Sequence, residues 1–234
     1  MPQSDSDTFN VLFVCTGNIC RSPLAEQLFR NQVASRSRLI STSSAGTYAR
    51  SGQAMTEQAA ALSTQYGGDP SQHSAAEVTS DRIKKADLIV TMTREHRAEV
   101  VSMVPRASRK TFTLRELVRL IDSHRNREPG AWKAANDASS TALETFVLNV
   151  ASQRGFSSTA VQPADDDIVD PYRRGQEVYD EAGLLISQSI SRVAEAILNV
   201  TSFGSATTRD KVSPIDRIVS DQSRSAQQQR GNDD

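Results

Sequence analysis

Disulfides cannot organise this chain. Its 234 residues contain two cysteines, Cys15 and Cys20, and both lie in one short loop. That usage points to a reducing cytoplasm rather than to a secreted, cross-linked domain. Aromatic residues are scarce at 5%, and hydrophobic residues reach only 37%, so polar segments dilute a smaller folded part. A dominant charge is missing too. The 27 basic residues stand against 28 acidic ones, which gives no ground for nucleic acid or an anionic membrane surface as partner. No apolar run reaches the ~18 residues that a membrane span needs, so no membrane insertion is expected. The opening MPQSDSDTFN lacks the positive and apolar regions of a secretory signal. This length allows one domain with a good core and an appendage.

What is present alternates. Val11–Val14 is a short apolar run rich in β-branched residues, of the kind buried on both faces in a parallel sheet. Ser22-Pro23 reads as a helix cap with proline at the first helical position, and Leu24, Ala25, Leu28 and Phe29 follow at helical spacing. Leu39–Ser44, Ala86–Met92 and Lys110–Leu114 read as further strands. Between them Ala54–Tyr66 reads as a helix, a polar helix ends near Pro105, and RELVRLI begins another. The alternation indicates an α/β fold with a parallel sheet and right-handed crossovers. Residues 122–166 break the rhythm and read as an insertion carrying one docked helix, with Leu143, Phe146, Val147 and Val150 on one stripe. Gln176–Val200 reads as a last amphipathic helix with Val178, Leu185, Ile186, Val193 and Ile197 inward. Residues 1–8 are expected to be flexible, and residues 201–234, rich in Ser, Gln, Arg and Asp, to be disordered.

The loop CTGNICRS lies between the first strand and the first helix, so its N–H groups can converge at a helix N-terminus. That is an anion site. Cys15 sits at its mouth, where the helix dipole and Arg21 favour thiolate. Arg21 offers a planar fork for two phosphate oxygens. Thiolate, cradle and guanidinium together describe attack on phosphorus through a cysteinyl-phosphate. Ser22 can donate to the sulfur. Neither cofactor nor metal is expected, because Cys-x4-Cys has no second ligand pair and the three histidines are scattered. No Walker lysine follows the loop.

VCTGNICRSP resembles the signature of the low-molecular-weight protein tyrosine phosphatases. The likeness continues through SSAGT (Ser43–Thr47), ADLIVTMTREHR (Ala86–Arg97) and DPYRRGQEVYDEA (Asp170–Ala182). It implies a three-layer α-β-α fold with a four-stranded parallel sheet over residues 9–200, interrupted by the insertion. It also implies an active site at the carboxyl end of the first strand. By the same resemblance Cys15, Arg21 and Asp170 are the catalytic residues. Thr16, Gly17, Asn18, Ile19, Cys20 and Ser22 line the phosphate cradle, and Tyr48 and Tyr172 form the walls of the substrate slot. Ser44 and His73 hold Asn18 in place.

Expulsion of a phenolate, whose conjugate acid has a pKa of about 10, calls for a proton donor. Asp170 takes that role, and the run Asp165, Asp166 and Asp167 reads as solvated charge. The family pattern departs at two points. Arg173 stands where many relatives carry a second aromatic, which would favour acidic peptide flanks, and Ala75-Ala76-Glu77 stands where an arginine is expected. His96 and His124 read as solvated.

Three rivals are weighed against this reading. Thioredoxin-coupled arsenate reductase needs a further cysteine pair, and no cysteine follows Cys20. Protein arginine phosphatase carries a small threonine before the second loop cysteine, where this chain has Ile19. A phosphate-binding adaptor without turnover would lack the nucleophile or the acid. The expected partner is a phosphotyrosine-containing protein, with a bacterial tyrosine kinase as the family association. Cys20 reads either as packing beneath the loop or as a redox partner of Cys15.

Overall fold

The computed structural model describes residues 8–127, 139–156 and 162–201. The apolar run near the start forms β1 (Phe9–Cys15), and both its faces are buried. Strands β2 (Ile40–Gly46), β3 (Leu88–Thr91) and β4 (Thr111–Thr113) complete a sheet in the order β2-β1-β3-β4. Every strand pair is parallel. The chain reverses its winding at β1, which places a crevice at that strand's carboxyl end.

Alternation along β1 divides the core into two layers. Phe9, Val11 and Phe13 face a large cluster, to which α1 (Arg21–Gln32), α5 (Leu114–Arg127), α6 (Ser140–Ser152) and α7 (Gln176–Thr201) contribute Leu28, Leu117, Phe146 and Ile186. Leu12 and Val14 face a smaller cluster with Ile83 from α3 (Ser80–Lys85) and Val100 from α4 (Arg94–Met103). Helix α2 (Glu57–Gln65) adds Ala59 and Leu62 to the first cluster. The result is the three-layer α/β fold.

Several boundaries move for local reasons. Helix α2 begins at Glu57 rather than Ala54, because the Thr56 side chain caps it by accepting from Ala59 N. Helix α3, unread in the sequence, is six residues long and capped by Thr79. Ser22 is no cap: α1 starts at Arg21 and has no side-chain cap bond, since the Ser22 hydroxyl is engaged with the loop. Pro23 still sits in the first turn, where its missing N–H costs nothing. Along α7 the buried stripe runs through Tyr179, Ile186, Ile190, Val193 and Ile197, whereas Val178 and Leu185 are half-buried.

In the segment read as an insertion, Leu143, Phe146, Val147 and Val150 are buried along α6, as their spacing predicts. Residues 128–138 and 157–161 of that segment lie outside the described residues, and so do the N-terminus expected to be flexible and the tail expected to be disordered, apart from Thr8 and Thr201. Among the described residues no helix is long and apolar enough to cross a membrane.

Candidate active site

The loop after β1 is shaped by bonds that pull its carbonyls outward. Cys15 O accepts from Thr47 N and Thr16 O from Tyr48 N, both at 2.9 Å, and Ile19 O accepts from Thr56 N at 3.0 Å. The Asn18 carbonyl lies 2.7 Å from His73 Nε2. Among the described residues, the N–H groups of Gly17, Ile19 and Cys20 donate to no protein acceptor, so they remain available to an anion.

Asn18 is the pivot. Its φ of 55° is left-handed, a conformation asparagine tolerates better than most residues. The side chain is fully buried, donating to Ser22 Oγ at 3.0 Å and Ser44 Oγ at 2.9 Å while accepting from Ala76 N at 2.8 Å. Ser44 in turn donates to the buried Glu26, which pairs with Arg30. His73 and Ser44 therefore both reach Asn18, and Ala76 does so through its backbone, despite the missing arginine. Glu26 was not legible in the sequence, because a glutamate on the first helix reads as exposed. Gly46, at the end of β2, is required by close approach: a Cβ there would run into Thr16 O and lie 2.9 Å from Asn18 N.

Around the sulfur, Cys15 Sγ lies 3.0 Å from Ser22 Oγ and accepts from Asn18 N at 3.3 Å. Ser22 Oγ also lies 3.3 Å from Ala45 O, so its single proton serves one of the two. Cys20 is buried, with Sγ 3.4 Å from Thr56 Oγ1 and 3.6 Å from the Tyr179 hydroxyl. Burial pushes the Cys20 thiol up, and the hydrogen bonds from Thr56 and Tyr179 oppose that only in part. It is a poor thiolate.

Arg21 is 4% exposed, and its fork crosses from the loop to the segment before α7. Nη1 donates to Ile168 O at 3.1 Å, and Nη2 meets Asp170 Oδ2 at 2.8 Å. Its Nε has no hydrogen-bond partner among the described residues. The segment carrying Asp170 is well anchored. Ile168 N donates to Met92 O at 2.8 Å, Asp167 Oδ1 accepts from Arg94 N at 2.7 Å, and Asp166 takes two bonds from Arg119. This corrects the reading of the acidic run as solvated: Asp166 and Asp167 are half-buried and fix the loop.

The histidines need the same correction. His96 and His124 are buried, at 4% and 6% exposure. His96 Nε2 lies 2.8 Å from Thr16 Oγ1, and Nδ1 lies 2.8 Å from Thr93 Oγ1. A polar stretch, TREHR, carries no periodic sign of that burial. It follows from the docking of α4 beside the loop.

Cys15, Ile19, Arg21, Tyr48, Asp170 and Tyr172 all line one cleft of about 370 Å³, together with Arg50, Gln53 and Arg173. Tyr48 is 74% exposed and Tyr172 43%, so the walls are open to solvent. Arg173 lies over the Tyr172 ring at 5.2 Å, from a backbone with φ of 59°. Arg50 and Gln53 were missed in the sequence, where nothing but their place after SSAGT marks them.

The family model for low molecular weight phosphotyrosine protein phosphatases matches residues 10–129. A protein-arginine-phosphatase of Bacillus subtilis (strain 168) is 37% identical over 111 residues, covering 47% of this chain and 72% of that protein. The low molecular weight protein-tyrosine-phosphatase Ptp of Acinetobacter johnsonii is 28% identical over 182 residues, covering 78% and 93%. Among solved structures, the low molecular weight protein tyrosine phosphatase of T. tengcongensis superposes with a TM-score of 0.56 at 28% identity, covering 80% of this chain and 99% of that one. The match takes in β1, its loop and the lining residues from Cys15 to Gln53, and the chain belongs to the low molecular weight phosphotyrosine protein phosphatase family.

Proposed function

We propose that this chain hydrolyses phosphotyrosine in proteins through a cysteinyl-phosphate, acting as one domain over residues 9–200 with residues 122–166 inserted. The observation that carries the reading is one cleft holding a thiol, a buried guanidinium and a carboxyl, with Arg21 Nη2 and Asp170 Oδ2 2.8 Å apart. Without substrate the Asp170 carboxylate occupies part of the Arg21 fork. An arriving phosphoryl monoanion takes over that fork, including the unpartnered Nε, and passes its proton to the displaced Asp170 carboxylate, which is left as a carboxylic acid beside the ester oxygen. Cys15 Sγ then attacks phosphorus, the P–O bond breaks, and Asp170 gives its proton to the departing phenolate. Ser22 steadies the sulfur as attacker and as leaving group. In the second step water attacks phosphorus, passes a proton to Asp170, and the S–P bond breaks to release phosphate. Tyr48 and Tyr172 wall the slot, and Arg173 favours acidic peptide flanks.

A related reading, protein arginine phosphatase, has support from the Bacillus subtilis relative named for that activity. Ile19 favours the aryl ester: it is 7% exposed and lines the slot above the cradle, where a branched side chain narrows the passage for a guanidino group and admits a flat ring. The partner is a phosphotyrosine protein, with a bacterial tyrosine kinase as the class of candidate. A reducing cytoplasm suits a nucleophile that works as a free thiol, and both cysteines are free.

Phosphate release from matched phosphotyrosine, phosphoserine and phosphoarginine peptides tests this. Phosphotyrosine should lead by at least about tenfold. A phosphoarginine preference would transfer the assignment to the second reading, and no release from any of them would leave a binding module.

A further inference from the structure

Thr16 follows the nucleophile and is half-buried at the cleft, yet only its backbone has so far had a part in the cradle. Its side chain is held from behind. His96 Nε2 lies 2.8 Å from Thr16 Oγ1, His96 Nδ1 lies 2.8 Å from Thr93 Oγ1, and Arg21 Nη2 donates to Thr16 Oγ1 at 3.5 Å.

Two arrangements of protons fit these contacts, and one of them frees a donor for the cleft. Thr93 Oγ1 caps α4 by accepting from His96 N at 3.3 Å, so its own hydrogen is free to donate to Nδ1. Nε2 then carries the ring hydrogen and donates it to Thr16 Oγ1. The other neighbour of that oxygen, Arg21, can only donate. With two donors on Thr16 Oγ1, the Thr16 hydrogen must find its acceptor elsewhere, on the cleft side. The opposite tautomer would spend the Thr16 hydrogen on Nε2, put two N–H groups on Thr93 and turn the hydrogen of the half-buried Thr93 to solvent, so the Thr16 variants below decide between the two. Burial and the Arg21 charge also keep the ring neutral, and a neutral ring has one donor and one acceptor.

We propose that the Thr16 hydroxyl is a further side-chain donor to the bound phosphoryl group, and that His96 is the positioning residue that aims it. The inference rests on the reading of this loop as a phosphate cradle. A hydrogen bond to a charged oxygen placed in this way is worth roughly ten- to hundredfold in affinity. Because the donor is set before the substrate arrives, its contribution is present in the transition state as well.

The test is calorimetric titration of the full chain with inorganic phosphate, alongside kcat/KM on an aryl phosphate. Thr16→Val keeps the shape and removes the hydrogen. It should weaken phosphate binding and lower kcat/KM by roughly tenfold or more, with the melting temperature lower by only a few degrees, since His96 Nε2 loses its acceptor but the fold is kept. Thr16→Ser, which keeps the hydroxyl, should recover most of the loss. His96→Leu should weaken phosphate binding to a similar degree, and the double variant with Thr16→Val should be little worse than either alone, since both remove one hydrogen bond. Should His96→Leu fail to fold, Thr16→Val still decides the matter: phosphate binding within twofold of wild type overturns the idea. Full additivity in the double variant would overturn the coupling to His96. Phosphate binding is read without turnover, so a wild type that binds phosphate but does not cleave phosphotyrosine would fail the proposed function and leave this test standing. A wild type that binds no phosphate would overturn both.

Discussion

At the residue scale, the site places opposite demands on Arg21 and Asp170. The two satisfy each other at 2.8 Å, and in the proposed reaction each turns to a different oxygen of the substrate. Asp170→Asn separates the two roles. Hydrolysis of phosphotyrosine should fall by about two to four orders of magnitude, the usual worth of a positioned acid. The loss should be much smaller with a nitrophenyl ester, whose leaving group needs no proton. Inorganic phosphate should bind more tightly to this variant, because the competing carboxylate is gone from the Arg21 fork. Equal losses on both esters with unchanged phosphate affinity would make Asp170 a structural partner of Arg21. In the same proposal Ile19 governs a different property, the shape of the slot. Ile19→Thr removes branched apolar bulk from the cleft lining and should raise phosphoarginine hydrolysis relative to phosphotyrosine by about tenfold, the scale of discrimination by apolar pockets. A ratio that does not move would assign selectivity to Tyr48 and Tyr172 instead.

At the scale of elements, α6 shows how a segment outside the strand–helix alternation docks on the core. Its apolar stripe is buried, and the residue that ties its end to the core is Arg154. That side chain pairs with Glu116 at 2.8 Å, donates to Ser108 O and Thr111 O, and lies 4.2 Å from the centre of the Phe112 ring. Arg154→Ala takes the two-nitrogen partner from the half-buried Glu116 carboxylate and the donor from Ser108 O, while Thr111 O keeps Arg97 Nε at 3.0 Å. It should destabilise the fold by about 2–3 kcal/mol while leaving kcat/KM within about twofold, since no bond from Arg154 reaches the cleft. Denaturant midpoints and steady-state kinetics check the two halves, and a collapse of kcat/KM without loss of stability would contradict the separation. Elements of this kind were legible where periodicity is local. The four strands, α7 and the α6 stripe could be read because apolar residues repeat along each segment. The short helix α3 could not, because six residues carry barely more than one turn of pattern. The cap expected at Ser22 fails for a related reason. Its hydroxyl answers to Asn18 and Cys15, partners supplied by the folded loop rather than by the helix it precedes. Cys15, Arg21 and Asp170 could be named from their motifs, whereas Glu26, Arg50 and His96 gain their places only when separate elements close around the loop.

For the whole molecule, His96 couples the site to stability. Burial, and after it the Arg21 charge, pushes its pKa down from 6.5 to about 4, while Asp170 and Asp167 pull it the other way. Below pH 6.5 the unfolded chain takes up a proton on this histidine that the folded protein refuses until about pH 4. His96 therefore contributes stability that is fully present above its unfolded pKa and is lost as the pH falls towards its folded one. The gap corresponds to roughly 3 kcal/mol, spread over that window. Carboxylates also titrate there, so wild type alone cannot isolate the effect. His96→Gln can, because it keeps a donor and an acceptor on the side chain but no titrating group. Wild type should be the more stable protein at pH 7.5, and between pH 7.5 and 4.5 it should lose more stability than His96→Gln by an amount on the order of 2–3 kcal/mol. Chemical denaturation of both proteins across that range measures the difference. Parallel curves would mean that His96 takes up its proton in the folded state near its ordinary value, and that the ring beside Thr16 is charged in mildly acidic solution.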